Sequence, residues 1–215
     1  TVVSVSAGNS GAWAENSYNG ELYADDVNFH TGGSPGAYAN AFTVASVDNA
    51  GMIGSTFRAA DRDVVYTETL YYNAALSSMD TSEDGAGTER EYIFLDKLGN
   101  PEDYEGIDVT GKVVFVSRGE LNFSQKLTNA ANAGAAACVI YNNVPGAAIS
   151  MDLSQSYANI PCVGITQADA DAIRASSAPR KDGDGNALYY TGKMTIGHKT
   201  GVSVNLSEDC VYTMS

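Results

Sequence analysis

The chain has 215 residues, of which 44 % are hydrophobic and 18 % charged, the composition of an ordinary globular protein able to bury one good core or two modest ones. Its formal net charge of −14 argues against nucleic acid or an anionic membrane surface as a partner, since either needs clustered Lys and Arg to displace counterions. The longest apolar run, Ala133 to Tyr141, falls far short of the roughly 20 residues a membrane helix requires, so no membrane insertion is expected.

The run Val2-Val3-Ser4-Val5-Ser6-Ala7-Gly8-Asn9-Ser10-Gly11 is β-branched and stops abruptly on Ala-Gly-Asn. It predicts a short buried strand that delivers the Asn9 amide to its end. Gly8 leaves room for a second backbone to lie alongside, and Asn9 offers an NH₂ group on a short stem, which is what an oxyanion donor requires. Read alone, the same residues also fit a tight strand-end turn. Gly33-Ser34-Pro35-Gly36 follows, then a short strand within Asn40-Ala41-Phe42-Thr43-Val44-Ala45-Ser46-Val47-Asp48. Nothing resembling a signal peptide precedes the first strand, so the chain reads as a piece of something longer.

Between Asp61 and Asp108 the composition shifts to tyrosines and carboxylates, among them Tyr66, Tyr71, Tyr72, Tyr92 and Tyr104. Strands are expected around Val64 to Tyr72 and Tyr92 to Leu95, separated by a solvated acidic loop from Asp80 to Glu91. Lys112 to Ser117 is a β-branched strand bounded by glycines. A helix capped by Asn122 follows, with Gln125 as capping-box partner and a narrow face of Phe123, Leu127, Ala130, Ala131 and Gly134. Ala135 to Tyr141 reads as a second buried strand, completing a strand-helix-strand unit with a parallel pair. Ile160 to Ile165 reads as a third, with Thr166 and Asp169 boxing the start of a short helix through Arg174. Residues 175 to 191 are polar and turn-rich, and Lys193 to Ile196 and Val202 to Leu206 read as separate strands.

Several patterns that mimic chemistry fail on inspection. Gly32-x-Ser34-x-Gly36 has the spacing of a hydrolase nucleophile elbow, but the residue after the serine is Pro35, which has no N–H to offer an oxyanion. Asp182-Gly183-Asp184-Gly185-Asn186 opens like a calcium loop, yet Ala187 and Lys193 occupy the positions that need Gly and Glu, so a hairpin turn is expected. His30 and His198 lack Cys or acidic residues at ligand spacing, so no metal is expected and His30 reads as a loop residue. Cys138 and Cys162 sit in apolar runs and Cys210 beside Glu208 and Asp209, which makes none of them a good nucleophile. Arg118 and Lys126 read as surface or salt-bridging groups. Asn122-x-Ser124 and Asn205-x-Ser207 fit the glycosylation sequon only weakly.

The Val2 to Gly11 and Gly33 to Asp48 blocks resemble, in order and spacing, the segment of subtilisin-like serine proteases that carries the oxyanion-hole asparagine. The 111-to-174 run is similar to the protease-associated (PA) domain, a compact β-rich module with flanking helices and no catalytic residues of its own. It is carried by Gly-Lys-Val-Val-Phe-Val-Ser-Arg-Gly, Asn-Phe-Ser-Gln-Lys, Ala-Gly-Ala-Ala-Ala-Cys-Val-Ile-Tyr-Asn-Asn and Ile-Pro-Cys-Val-Gly-Ile. Together the blocks resemble the middle of a large cell-envelope subtilase of the lactocepin and C5a-peptidase type. That resemblance implies an α/β (α+β) fold: residues 1–57 from a subtilisin-like catalytic domain, residues 58–200 a PA insert, and residues 201–215 the return toward the catalytic domain.

It further implies a serine endopeptidase, secreted or wall-associated and bacterial, acting on protein or peptide substrates without a cofactor. Asn9 would serve the oxyanion hole, and Ser6, Ala7 and Gly8 would line the substrate pocket. The catalytic Asp, His and Ser would lie outside this chain, which alone would be inactive. The PA insert would shape substrate access. The rival implication is a non-catalytic PA-type protein-interaction module, as in sorting receptors, which would have no use for the Val2 to Gly11 block.

Overall fold

The computed structural model describes the backbone of residues 4–6, 42–44 and 51–205, and side chains within 54–197. The chain divides into two compact units, one of residues 53–204 and one of residues 1–52 with 205–215. In the smaller unit β1 (Ser4–Ser6) lies parallel to β2 (Phe42–Val44), with Ser4 opposite Phe42 and Ser6 opposite Val44.

The larger unit is built on one eight-stranded sheet whose spatial order is β3-β4-β8-β7-β6-β5-β10-β9, from strands β3 (Gly51–Ala59), β4 (Arg62–Glu68), β5 (Thr88–Phe94), β6 (Val113–Ser117), β7 (Ala137–Tyr141), β8 (Cys162–Ile165), β9 (Ala178–Lys181) and β10 (Ala187–Asn205). β3 also pairs with β10, which curls the sheet back on itself and leaves β9 as an edge. The four central strands, β5 to β8, run parallel, and the pairs β3–β4, β4–β8, β5–β10 and β9–β10 are antiparallel. Parallel strands need long crossovers, and one of these carries helix α1 (Phe123–Asn132) between β6 and β7. Helix α2 (Gln167–Ser176) leads from β8 to β9. The fold is therefore mixed α/β and mainly β, as the resemblance to the PA domain implies. Among the described residues no helix is long and apolar enough to cross a membrane.

Period-two alternation splits the sheet residues between two cores. Tyr92, Phe94, Val113, Phe115, Val139, Tyr141, Val163 and Ile165 face one side, joined by Phe57 and Tyr66. Ile93, Leu95, Val114, Val116, Cys138, Ile140 and Cys162 face the other. Helix α1 closes the second side with Leu127 and Ala130, and α2 adds Ala170 and Ile173 to the first. Both helices begin where their caps place them. The Asn122 side chain accepts from the Gln125 N–H at 2.8 Å, and Thr166 Oγ1 accepts from the Asp169 N–H at 3.1 Å while donating to the Asp169 carboxylate at 2.8 Å.

The structure departs from the sequence reading in several places, among them β5, which begins at Thr88 inside the stretch expected as a loop through Glu91, and β4, which ends at Glu68 rather than Tyr72. Gly134 is exposed and outside α1: at φ +91° it belongs to the chain reversal after the helix, so it stops the helix rather than extending its packing face. Lys126 is no surface group. It is fully buried, and its ammonium donates to the Leu98 carbonyl. The two strands expected after residue 192 are one, β10, which continues through Gly197 at φ +90°, where a Cβ would strike the Asp80 carboxylate. The polar stretch from residue 175 contains the edge strand β9, exposed at every position, joined to β10 by the expected turn in which Asp182 Oδ1 accepts from the N–H groups of Asp184 and Asn186.

Candidate functional site

Of the residues the sequence singles out for chemistry, Ser6 ends β1, while Ala7, Gly8 and Asn9 lie outside the described residues, as do His30 and the Gly32 to Gly36 turn. The β1–β2 pairing nonetheless brings the strand portions of the two N-terminal blocks side by side and in register.

Within the larger unit the two described cysteines are sealed, and several titratable side chains are buried or held by hydrogen bonds. Cys138 and Cys162 are free thiols with 0 % exposure. The Cys162 thiol is held well above its ordinary value by its hydrogen bond to Cys138 and by burial. Burial likewise pushes the Tyr104 and Tyr141 phenols up and the Lys126 ammonium down. Tyr141 donates to Asp96 Oδ1 at 3.1 Å, and Asp96 Oδ2 takes the Arg174 guanidinium at 2.7 Å, a bridge that ties the end of β5 to α2. Asp80 accepts from the Ser82 N–H, the Ser82 hydroxyl and Thr88 Oγ1, bonds that hold its carboxyl below the usual range. Among the described residues no group of three His, Cys, Asp or Glu side chains is placed to hold a metal ion.

What this unit offers outward is a surface. Leu70, Tyr71, Tyr72 and Tyr157 are all more than half exposed, Tyr157 to 77 %, and the rings of Tyr72 and Tyr157 lie 4.6 Å apart. The segment bearing the first three is fixed from beneath. Buried Asn73 accepts from the Tyr71 N–H at 3.0 Å and donates to the Thr69 carbonyl at 3.2 Å, and Glu68 accepts from the Leu76 N–H at 2.6 Å. Exposed aromatics on a pinned backbone lose little entropy on binding, which is the character of a recognition surface. The tyrosine enrichment was visible in the sequence, but its division was not: Tyr66, Tyr92 and Tyr104 are buried while Tyr71 and Tyr72 stand in solvent. Tyr157 carried no signal, since it lies in an irregular segment far from Tyr72 along the chain.

The larger unit is thus a curled sheet of mixed parallel and antiparallel strands with two capped helices, an exposed aromatic cluster and two buried thiols. The PA domain model matches residues 64–173, just over half of the chain, and the chain belongs to that family. Its relatives include proteases of different kinds. It is 34 % identical over 122 residues to aminopeptidase YwaD of Bacillus subtilis strain 168, covering 55 % of this chain and 24 % of that protein. To the minor extracellular protease Vpr of the same organism it is 28 % identical over 176 residues, 81 % of this chain and 20 % of that one. To a PII-type proteinase of Lacticaseibacillus paracasei it is 33 % identical over 176 residues, 77 % of this chain and 9 % of that one. The chain thus spans no more than a quarter of the length of these relatives, and it is a protease-associated module by family and by company.

Proposed function

We propose that this chain is part of a secreted or cell-envelope subtilisin-like serine endopeptidase, with residues 58–200 as the PA insert and residues 1–57 and 201–215 as parts of the catalytic domain. The observation that carries this reading is the reach of the similarity. The PA match takes residues 64–173, yet the matches to Vpr and to the PII-type proteinase each run over 176 residues, so both extend well beyond the module. The match to the aminopeptidase runs over 122 residues, little more than the stretch the PA model itself takes. The parallel pairing of β1 with β2, within the two blocks that resemble the subtilase oxyanion segment, supports the same parent.

In this reading Asn9 donates its amide N–H to the oxyanion of the tetrahedral intermediate, and Ser6, Ala7 and Gly8 form one wall of the substrate pocket, their backbone pairing with the peptide. The nucleophile and its base come from the parent outside this chain. The PA insert adds no acid, base or nucleophile. It shapes which protein or peptide substrates reach the cleft, and the fixed Leu70, Tyr71, Tyr72 and Tyr157 surface is its means of contact.

The test is made on the parent protein. Asn9→Ala should lower kcat on the order of 10²–10³ with little change in KM, a magnitude known from the same substitution class in a subtilisin, because the amide bond forms chiefly in the transition state. A serine-directed fluorophosphonate should abolish activity and a metal chelator should not. Inactivation by the chelator alone, with Asn9→Ala unaffected, would instead place the module in an aminopeptidase, the reading that the YwaD match favours.

A further inference from the structure

The second face of the sheet ends in an unusual pair. Along one row of the ladder Ile93 lies opposite Val114, Val114 opposite Cys138, and Cys138 opposite Cys162, so the two cysteines are direct neighbours on parallel strands β7 and β8. Their side chains point to the same core beneath α1, and both are fully buried. Neighbouring strands are about 4.8 Å apart, inside the range of about 4.4–6.8 Å that a disulfide spans between Cα atoms. The residues between them, 142–161, make an irregular excursion anchored by buried Ile149, Met151 and Leu153, and this excursion carries Tyr157.

We propose that Cys138 and Cys162 join in a disulfide when the chain folds under oxidising conditions, a covalent staple at the foot of the excursion that presents Tyr157. The oxidant is a small disulfide or its enzymatic equivalent. One cysteine thiolate attacks a sulfur of the oxidant and expels one thiolate, giving a mixed disulfide; the second cysteine thiolate attacks the protein-side sulfur and expels the other. Two thiol protons leave, and the oxidant is reduced to two thiols. Because both sulfurs have no solvent exposure in the folded chain, this exchange precedes closure of the core, and the bond is a structural cross-link rather than a switch. The inference stands on the larger unit alone and is read without any protease activity.

The experiment compares the 215-residue chain refolded with dithiothreitol and refolded with a reduced and oxidised glutathione mixture. In the reduced chain iodoacetamide should leave Cys138 and Cys162 untouched until denaturant is added, and then alkylate both. The oxidised chain should be lighter by two hydrogens, resist alkylation at both positions in denaturant, and unfold at a higher urea concentration. Trypsin leaves both cysteines on the peptide from Leu127 to Arg174, so cleavage before Asp152 is needed to show two fragments held together through Cys138 and Cys162. The same linkage should persist in Cys210→Ser. Full alkylation of both residues after oxidative refolding to the native circular dichroism spectrum overturns the proposal, as does a mapped bond from either residue to Cys210. Ready alkylation of the folded reduced chain overturns the buried geometry on which it rests.

Discussion

The two faces of the large sheet are made by the same strands and solve different packing problems. On one, Phe57 lies edge-on to Phe115 at 6.2 Å, Tyr92 packs against Phe115 at 5.1 Å, and Phe94 stacks between Phe115 and Tyr141 at 5.6 and 5.0 Å. On the other the strands contribute Val, Ile and Cys side chains, joined by Leu95, Tyr104, Met151 and Leu153, with α1 packed against them. Large rings fill space that the curled sheet encloses, with only Ala170 and Ile173 of α2 needed at the margin. Small side chains instead let a helix approach closely, which makes that face depend on α1, on the anchored excursion and on whatever the helix carries beneath it. The aromatic face is thus expected to fail through lost volume and the helix-covered face through crowding and misplaced charge.

Phe115→Ala should cost more stability than any other change considered for either face. Phe115 is fully buried and touches the rings of Phe57, Tyr92 and Phe94, so its removal leaves a cavity that no neighbour can fill without leaving its own ring partner. Urea denaturation should show a loss of about 3–5 kcal/mol. A loss below about 1 kcal/mol would mean that the rings repack freely and that the aromatic face is not a jigsaw.

On the opposite face the corresponding error is excess volume. A Cβ on Gly164 would sit 2.5 Å from the Ile149 carbonyl oxygen and 2.7 Å from Thr67 Oγ1, two groups already bonded to each other. Backbone cannot swing aside as a side-chain tip can. Gly164→Ala should therefore cost about 1–3 kcal/mol, and the excursion over residues 142–161 should lose hydrogen-exchange protection before the rest of the unit does. Uniform loss of protection would show that the excursion is no separate cooperative element.

The charge beneath α1 gives a pH signature opposite in sign to that of the buried phenols. Burial lowers the Lys126 pKa below its unfolded value of about 10.4. Between the two values the unfolded chain binds more protons, so stability rises with pH there. Burial raises the Tyr66, Tyr104 and Tyr141 phenols, whose contribution has the opposite sign and is lost as pH rises above about 10. Measured as a difference, the tyrosine effects cancel. The stability of wild type relative to Lys126→Met should climb as pH rises toward about 10, and a flat difference would show that the ammonium is effectively solvated.

Legibility in the sequence followed locality. The run from residue 111 to 174 could be read because its strands are β-branched stretches bounded by glycines and its helices announce themselves through Asn122 and Thr166, signals contained within a few residues. The burial of Lys126 could not be read, because its partner is a backbone carbonyl at Leu98 that only the fold brings beneath the helix. Nor could β9, which is polar and exposed throughout and becomes a strand only by pairing with β10. The candidate site divides the same way: Asn9 was proposed from a contiguous motif, whereas the surface of Tyr71, Tyr72 and Tyr157 exists only because two distant segments meet.

The helix caps separate the two faces at low cost, because each helix packs on a different face and each has a single side-chain cap. Asn122→Ala removes one acceptor from the start of α1, and Thr166→Ala removes from α2 both an acceptor and a donor that engage Asp169. Each should cost about 1 kcal/mol, with the second at the upper end because Asp169 loses a partner. The caps share no bonded group and their helices pack on different core clusters, so the double variant should equal the sum of the singles within about 0.5 kcal/mol. Thermal or urea unfolding of the four proteins decides it. An interaction energy above about 1 kcal/mol would mean that strain on one face is carried through the sheet to the other, and the two faces would then have to be treated as one core rather than two.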